Sequence, residues 1–369
     1  MKIAMLFPYA PSYREPIYQL MDREFDIDWF FCGNAERPLK LFDYNLLKNC
    51  NLEMEEKKVV GLFTRYVGLN ALHLQNYDAL IIAGVYQNLS EWKLAFKFGR
   101  CRKSPKLFFW THGMYGKESM FRRFVKNMLY KSADGMLLYG NYAKNIMVDL
   151  GYDKKKLFVI HNSLDYEKQL SLRKSGLAST IYNDHFKNSN PTLLFIGRLT
   201  KVKQLDMFID AVFLLKQRGQ HYNVVFVGDG TERSALEQYS LQSGISDQVW
   251  FYGECYDEKS NAELIYNADL CVAPGNIGLT AMHVLMFGCP AITHDDFKWQ
   301  MPEFESIQPY KTGLFFKHND VNDLADKIAE WFRVNGGLRD DVREQCYQEI
   351  DNYWTPQFQI GVLHQALNY

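Results

Sequence analysis

Four short stretches hold residues whose types and spacing suit chemistry. "FIGRLTKVKQLDMFIDA", residues 195–211, ends an apolar run at Gly197 and sets Arg198 and Lys203 around a loop that opens a helical pattern. A guanidinium, an ammonium and the free amides of a helix start suit a diphosphate. "GNIGLTAMHVLMFGCP", 275–290, runs from a Gly-rich turn into a short helix expected over 279–287. Its start at Gly278-Leu279-Thr280 offers amides to an anion, and His283 lies one turn in. "FFWTHGMYGKES", 108–119, places His112 directly after an apolar run, and "PYAPSYRE", 8–15, places Arg14 after the first such run. Each has a plainer alternative: solvated loop cations for Arg198 and Lys203, a structural hydrogen bond for His112, packing beneath its helix for His283.

Other constellations carry less. "FVGDGTERSALE", 226–237, is a strand, a turn at Gly228 and a helix start, without the spacing of a dinucleotide fingerprint or a P-loop. "DID" at 26–28 sits inside an alternating strand, "HDD" at 294–296 lacks metal-site partners, and no nucleophile elbow is visible.

The elements that must position these residues alternate along the chain. Apolar runs at 2–7, 27–31, 79–84, 106–111, 135–140 and 157–162 read as strands, with helical patterns at 14–22, 88–98, 118–131 and 141–150. The rhythm restarts with strands at 192–197, 222–228, 248–253, 269–274 and 290–293, and helices near 204–217, 231–243 and 260–267. Continuous apolar strands separated by helices indicate parallel sheets covered on both faces. The reading is α/β: two doubly wound, Rossmann-like domains. The first spans 1–175 together with a helix at 355–369, the second spans 190–350, and a polar boundary lies within 165–191. Ligands of such sheets bind beyond the carboxyl ends of the strands, where the four stretches fall.

Composition bounds the rest. The 369 residues carry a net charge of -1, so no global field points to nucleic acid. Seven scattered cysteines without a CxxC read as thiols in a reducing compartment. The start, "MKIAMLFPYAPSY", is too short in its apolar core for a signal peptide, and no apolar run reaches the roughly 20 residues of a membrane span. A cytoplasmic location follows as the expectation, peripheral on the inner face of the plasma membrane if a local basic stretch binds there. That stretch, 93–131, has eleven Lys and Arg (93, 97, 100, 102, 103, 106, 117, 122, 123, 126, 131) and mixes them with bulky apolar residues in "FRRFVKNMLYKS". A solvated face is the plainer reading, contact with an anionic membrane the sharper one.

In order and spacing, residues 192–315 resemble the family 4 (group 1) glycosyltransferases, whose fold is GT-B. "IGRLTKVKQLDMFIDA" looks like the family's Gly-Arg-Leu and Lys-Gly signature, with Lys203 in the Lys place and Gln204 in the usual Gly place. "VVFVGDG", "VWFYGECYDEKSNAELIYNADLCVAP", "GLTAMHVLMFGCPAIT" and "TGLFF" resemble its later segments, and "WTHG" and "FVIHNSLDY" resemble two in the first half. The resemblance implies two Rossmann-like domains facing across a cleft, with a C-terminal helix crossing back to the first. It implies transfer of a sugar from a nucleotide-diphosphate donor on the second domain to an acceptor on the first, with retention and without a metal or other cofactor. His112, Arg198 and Lys203 take the catalytic places. Gly197, Gly228, Gly253, Glu254, Gly278, Leu279, Thr280 and His283 take the donor-binding places, with Glu303 or Glu305 as the later carboxylate, spacing to Gly313 favouring Glu305. Arg14 is a candidate phosphate or acceptor contact. A glycan or lipid-linked saccharide of cell-surface polysaccharide synthesis is the acceptor the family suggests.

Two departures stand out. The family's pair of glutamates with seven residues between them is replaced by Gly275 and His283, and its glycine-rich first loop by "PYAPSYRE". A nucleotide-sugar isomerase or hydrolase on the same fold, or a binding subunit without turnover, is therefore the alternative. A NAD dehydrogenase does not suit the first loop.

Overall fold

The computed structural model describes residues 1–34, 40–99 and 105–368. The chain divides into two compact units, Met1–Asp165 with Thr355–Tyr369, and Tyr166–Trp354.

The first unit is built on eight strands: β1 (Lys2–Leu6), β2 (Asp26–Cys32), β3 (Cys50–Val60), β4 (Phe63–Val67), β5 (Ala79–Ile82), β6 (Lys106–Thr111), β7 (Gly135–Leu138) and β8 (Leu157–Val159). Their order is β4-β3-β2-β1-β5-β6-β7-β8. Successive β1 side chains point to opposite faces, so Ile3 and Met5 enter one core while Ala4 and Leu6 enter the other. The first core is covered by α1 (Glu15–Glu24) and by the terminal helix, Pro356–Leu367. The second is covered by α2 (Leu89–Phe98), α3 (Met120–Tyr130) and α4 (Asn141–Asp149). Gln359 ties the terminal helix to the chain beyond β8: its Nε2 donates to the His161 carbonyl at 3.0 Å, and Ser163 Oγ donates to its Oε1 at 2.6 Å.

The expectation of a purely parallel first sheet is corrected at one edge, where β4 pairs antiparallel with β3. Gly61, at φ 55°, supplies the left-handed turn between them. Most side chains of this hairpin are exposed, so it carries no apolar run by which to recognise it.

The second unit holds six strands, β9 (Thr192–Ile196), β10 (Asn223–Val227), β11 (Val249–Gly253), β12 (Leu270–Ala273), β13 (Ala291–His294) and β14 (Gly313–Phe316). All pair in parallel, in the order β11-β10-β9-β12-β13-β14. The stretch 165–191, expected as a polar boundary, is largely helical: α5 (Tyr166–Arg173) and α6 (Ile181–Phe186) pack within this unit. Arg173 grips Asp351 with two bonds, at 3.1 and 2.8 Å, and Tyr182 Oη donates to the Leu264 carbonyl at 2.6 Å. Helices α7 (Leu205–Gln217), α8 (Arg233–Gln242), α9 (Glu258–Asn267), α10 (Thr280–Met286), α11 (Val321–Asn335) and α12 (Arg339–Tyr353) complete the unit.

Candidate active site

In the second unit the strand order reverses between β9 and β12, and the loops that leave these two strands meet. The Gly275 amide donates to the Lys203 carbonyl at 3.0 Å. Lys203 Nζ donates back across the crevice to the Asn276 carbonyl at 2.6 Å and to Asn276 Oδ1 at 2.9 Å. Reversal points of this kind are the ligand crevices of open α/β sheets. Burial, helped by the neighbouring Arg198 charge, pulls the Lys203 ammonium below its ordinary pKa. Arg198 is exposed and makes no ion pair among the described residues. Two adjacent cations, one disfavoured by the other, form a patch suited to a polyanion.

Glycines allow the loops to close on one another. A Cβ at Gly228 would stand 2.0 Å from the Gly197 carbonyl oxygen, and the Gly228 amide donates to the Gly253 carbonyl at 2.7 Å. Gly197, Gly228 and Gly253 thus line up along the ends of β9, β10 and β11. At Gly275 a Cβ would meet Val202 O at 2.1 Å and Lys203 Cα at 2.7 Å. The loop carrying Lys203 fills the space where a side chain at 275 would begin. Thr293 Oγ1 donates to the Ala273 and Gly275 carbonyls at 2.8 and 3.0 Å, and Gln300 bonds Thr293 and the Ile277 amide, holding the β12 loop from beneath. Asn276, Thr293 and Gln300 escape a motif-based reading. Asn276 lies inside the quoted 275–290 stretch, but nothing in the sequence pairs it with a lysine 73 residues away.

The other expected donor contacts divide. Thr280 Oγ1 donates to the Ile196 carbonyl at 3.2 Å, which sets the start of α10 against the end of β9. Gly278 is left-handed at φ 55° and precedes a helix of only seven residues, two shorter than expected. His283 Nε2 lies 3.0 Å from Glu258 Oε1 at the start of α9, and the same oxygen accepts from Gln169 Nε2 at 2.9 Å. Burial raises the Glu258 carboxyl, but the bonds from His283 and Gln169 outweigh it and hold the group below its ordinary pKa. Glu303 is buried and near enough to act on the charge of Lys203. Glu305, favoured by spacing, lies instead beside Glu349 on α12. Glu254 is exposed on the loop after β11, within reach of Tyr256.

In the first unit His112 and Arg14 come together in a cavity at the carboxyl ends of β1, β5 and β6. The His112 ring lies 4.6 Å from the Tyr139 ring and 5.7 Å from that of Tyr115. Burial, with the Arg14 and Lys126 charges, drops its pKa to about 4, so it is a neutral imidazole at pH 7. Of the eleven basic residues between 93 and 131, Lys126 points inward to Glu118 at 2.8 Å, and Arg100, Arg102 and Lys103 lie outside the described residues. Exposed Met120, Phe121, Phe124 and Met128 on α3 lie among Lys117, Arg122, Arg123 and Lys131. No helix among the described residues is long and apolar enough to cross a membrane.

Two α/β units with these strand orders define a protein of the GT-B kind. The UDP complex of Anabaena HepE superposes over 100% of both chains with a TM-score of 0.72, at 14% identity. Residues 180–349, in the second unit, match the family model "Glycosyl transferases group 1". A GDP-mannose-dependent alpha-(1-6)-phosphatidylinositol dimannoside mannosyltransferase of Mycobacterium tuberculosis is 34% identical over 103 residues, 27% of this chain and 26% of that one. An uncharacterized 41.2 kDa protein in the cps region of Klebsiella pneumoniae is 21% identical over 206 residues, 55% of this chain and 53% of that one. The chain thus spans about half the length of that curated relative, and less of the other.

Proposed function

We propose that the protein transfers a sugar from a nucleotide-diphosphate donor, held by the second unit, to an acceptor held by the first. The observation that carries this reading is the Arg198–Lys203 pair at the β9/β12 reversal, two cations that make no ion pair within 4 Å among the described residues, with Glu303 acting on Lys203 only from farther off. The mannosyltransferase relative is named for a nucleotide sugar, and the HepE complex contains UDP, which supports a donor of this class. In the transfer the acceptor oxygen bonds to the anomeric carbon while the bond from that carbon to the diphosphate breaks. The acceptor proton passes to the leaving phosphate oxygen on the same face, which retains configuration and requires no protein base. Negative charge grows on the diphosphate, where Arg198 and Lys203 stabilise it electrostatically. The helix start at Gly278–Thr280 adds little, because α10 has barely two turns. His112, uncharged, serves as a hydrogen-bonding group at the acceptor rather than as a cation.

The acceptor we propose is a glycan or lipid-linked saccharide, with α3 resting on an anionic membrane. Support comes from four exposed apolar side chains set among cations on one helix. Thermal denaturation with UDP, GDP, TDP, ADP and CMP tests the donor site. A nucleoside diphosphate at 100 times its Kd adds about 2.7 kcal/mol and raises Tm by several degrees. Arg198→Ala and Lys203→Ala should each weaken that shift and lower turnover by at least about 10²-fold. Wild-type turnover in both variants would refute the phosphate assignment.

A further inference from the structure

The first sheet reverses its strand order between β1 and β5, so this unit has a crevice of its own. The crevice opens into a cavity of ≈ 360 Å³, within the range of small-molecule sites. Rings form much of its wall, among them Tyr13, Tyr86, Trp110, Tyr115 and Tyr139. Arg14 lines the same cavity and is only 4% exposed. It leaves β1 through a short 3-10 turn, Ser12–Arg14, just before α1. Its two terminal nitrogens donate to the phenol oxygens of Tyr18, at 3.0 Å, and of Tyr139. Its guanidinium carbon lies 4.8 Å from the Trp110 ring centre, 5.1 Å from Tyr139 and 5.7 Å from Tyr18.

What this cation lacks is an anion. It makes no ion pair among the described residues, and its Nε–H has no partner. Two further buried nitrogens, on the cavity-lining residues Trp110 (Nε1) and His112 (Nδ1), also have none. Buried polar groups are nearly always satisfied, so three on residues that line one cavity favour a ligand that a small side-chain shift would bring into reach. The second cation there, Lys126, is already used: it donates to Glu118 at 2.8 Å and to the Gly113 carbonyl at 2.7 Å. Phenol oxygens and ring faces solvate a guanidinium without neutralising it. The cavity therefore presents one uncancelled positive charge, flanked by neutral donors and aromatic faces.

We propose that this cavity binds a single anionic group, a carboxylate or a phosphate ester, carried on a sugar ring, and that the acceptor is thus an acidic saccharide. One charge matches one anion, and the aromatic walls suit the apolar face of a pyranose. Calling the ligand the acceptor rests on the donor assignment above, in which Arg198 and Lys203 already meet the diphosphate. The binding itself does not rest on it.

The test is calorimetric titration of the full-length protein with glucose 1-phosphate, glucuronate and glucose, and separately with UDP. The acidic sugars should bind at least about tenfold more tightly than glucose, as expected for a buried charge-assisted bond. Arg14→Gln should abolish that preference and leave UDP affinity within about twofold, whereas Arg198→Ala should weaken UDP and spare the acidic sugars. Equal binding of glucose and the acidic sugars by the wild-type protein would overturn the proposal. So would an Arg14→Gln variant that loses UDP as strongly as the sugar acids, because the anion would then be the donor's. Should Arg14→Gln fail to fold, Trp110→Phe keeps the ring and removes one donor; it should weaken acidic sugars several-fold with glucose unchanged. Unchanged binding of the acidic sugars by that variant would count against the site. Failure of UDP, GDP, TDP, ADP and CMP alike to bind would refute the donor reading and leave this one standing.

Discussion

Restoring the family's glutamate at position 275 should damage this protein rather than repair it. A Cβ there would lie 2.1 Å from Val202 O and 2.7 Å from Lys203 Cα, both backbone atoms. Ordinary contact begins near 3.4 Å, so the 202–203 segment must retreat by more than about 1 Å. Lys203 Nζ reaches Asn276 O at 2.6 Å, and a retreat of that size stretches the bond beyond hydrogen-bonding distance. Overpacking of this kind costs roughly 1–3 kcal/mol, offset by up to about 1 kcal/mol because a non-glycine residue restricts the unfolded chain. For a unit of this size the balance lowers Tm by a few degrees. The larger effect falls on the donor crevice, because the displaced segment carries Lys203. Gly275→Ala isolates the backbone clash, and Gly275→Glu adds the carboxylate. Both should show a reduced Tm and a nucleoside-diphosphate shift cut to a small fraction of wild type, read by calorimetric scans with and without ligand. A Gly275→Glu protein with wild-type Tm and tighter donor binding would refute the reasoning. It would mean that the β9 loop has room to spare.

Three further outcomes follow from the same geometry. His283→Glu sets a second carboxylate against Glu258 where a 3.0 Å bond now exists, so one of the two must take up a proton. The variant should lose about 1–3 kcal/mol at pH 8 and recover most of it at pH 5; a loss independent of pH would point to packing instead. Glu91, fully buried beneath the Gly84–Val85 turn, has its carboxyl pushed up to about 8 by burial, against the bonds it accepts from Val85 and Tyr66. The folded state thus holds a proton that the unfolded state releases near pH 4.5, and stability falls as pH rises through this window, by up to about 1.4 kcal/mol per pH unit. Glu91→Gln should flatten that slope in urea titrations between pH 5 and 8, and unchanged slopes would exclude the group. Finally, Phe121→Ser with Phe124→Ser should abolish co-flotation with phosphatidylglycerol vesicles but spare nucleotide binding, since both side chains are exposed on α3. Co-flotation undiminished by the pair would exclude this face.

Strands were legible where burial on both faces leaves an uninterrupted apolar run, as in "KIAML", "ALII" and "NVVFV". The β3–β4 hairpin was not, because an exposed edge needs no such run and "EMEEKKVV" reads as surface. Helices α5 and α6 were hidden for a related reason: both are short and polar, and long-range contacts such as Arg173 with Asp351 hold them. Arg198, Lys203 and His112 could be found because they lie beyond strand ends, His112 directly after β6 and the two cations in the loop between β9 and α7, where chemistry gathers in this fold. Gln204 shows how far such pattern reading reaches. It stands in a glycine's place and keeps a glycine's backbone, at φ 51°, with its amide bonded to Asn319 at 2.9 Å. The partners of His283 and Lys203 were out of reach, because a hydrogen bond between distant segments leaves no periodicity.

The two crevices carry the same kind of charge in different surroundings, and that difference has consequences. Arg198 is exposed, so water and ions compete with any phosphate for it. Its attraction operates over a Debye length of about 8 Å at physiological salt and weakens as salt rises. Arg14 is enclosed by rings and phenols, where counter-ions do not follow and the local dielectric is low. An anion that reaches it must first lose its own hydration, so binding there is selective for a ligand whose ring can replace lost water with aromatic contact. Free phosphate gains nothing from those walls, whereas an acidic sugar does. The pair of an exposed Arg198 and a half-buried Lys203 suits a donor that is captured from solution and whose leaving group must depart again. The enclosed arginine suits recognition, because it rewards only the ligand that fills the cavity and neutralises it at once.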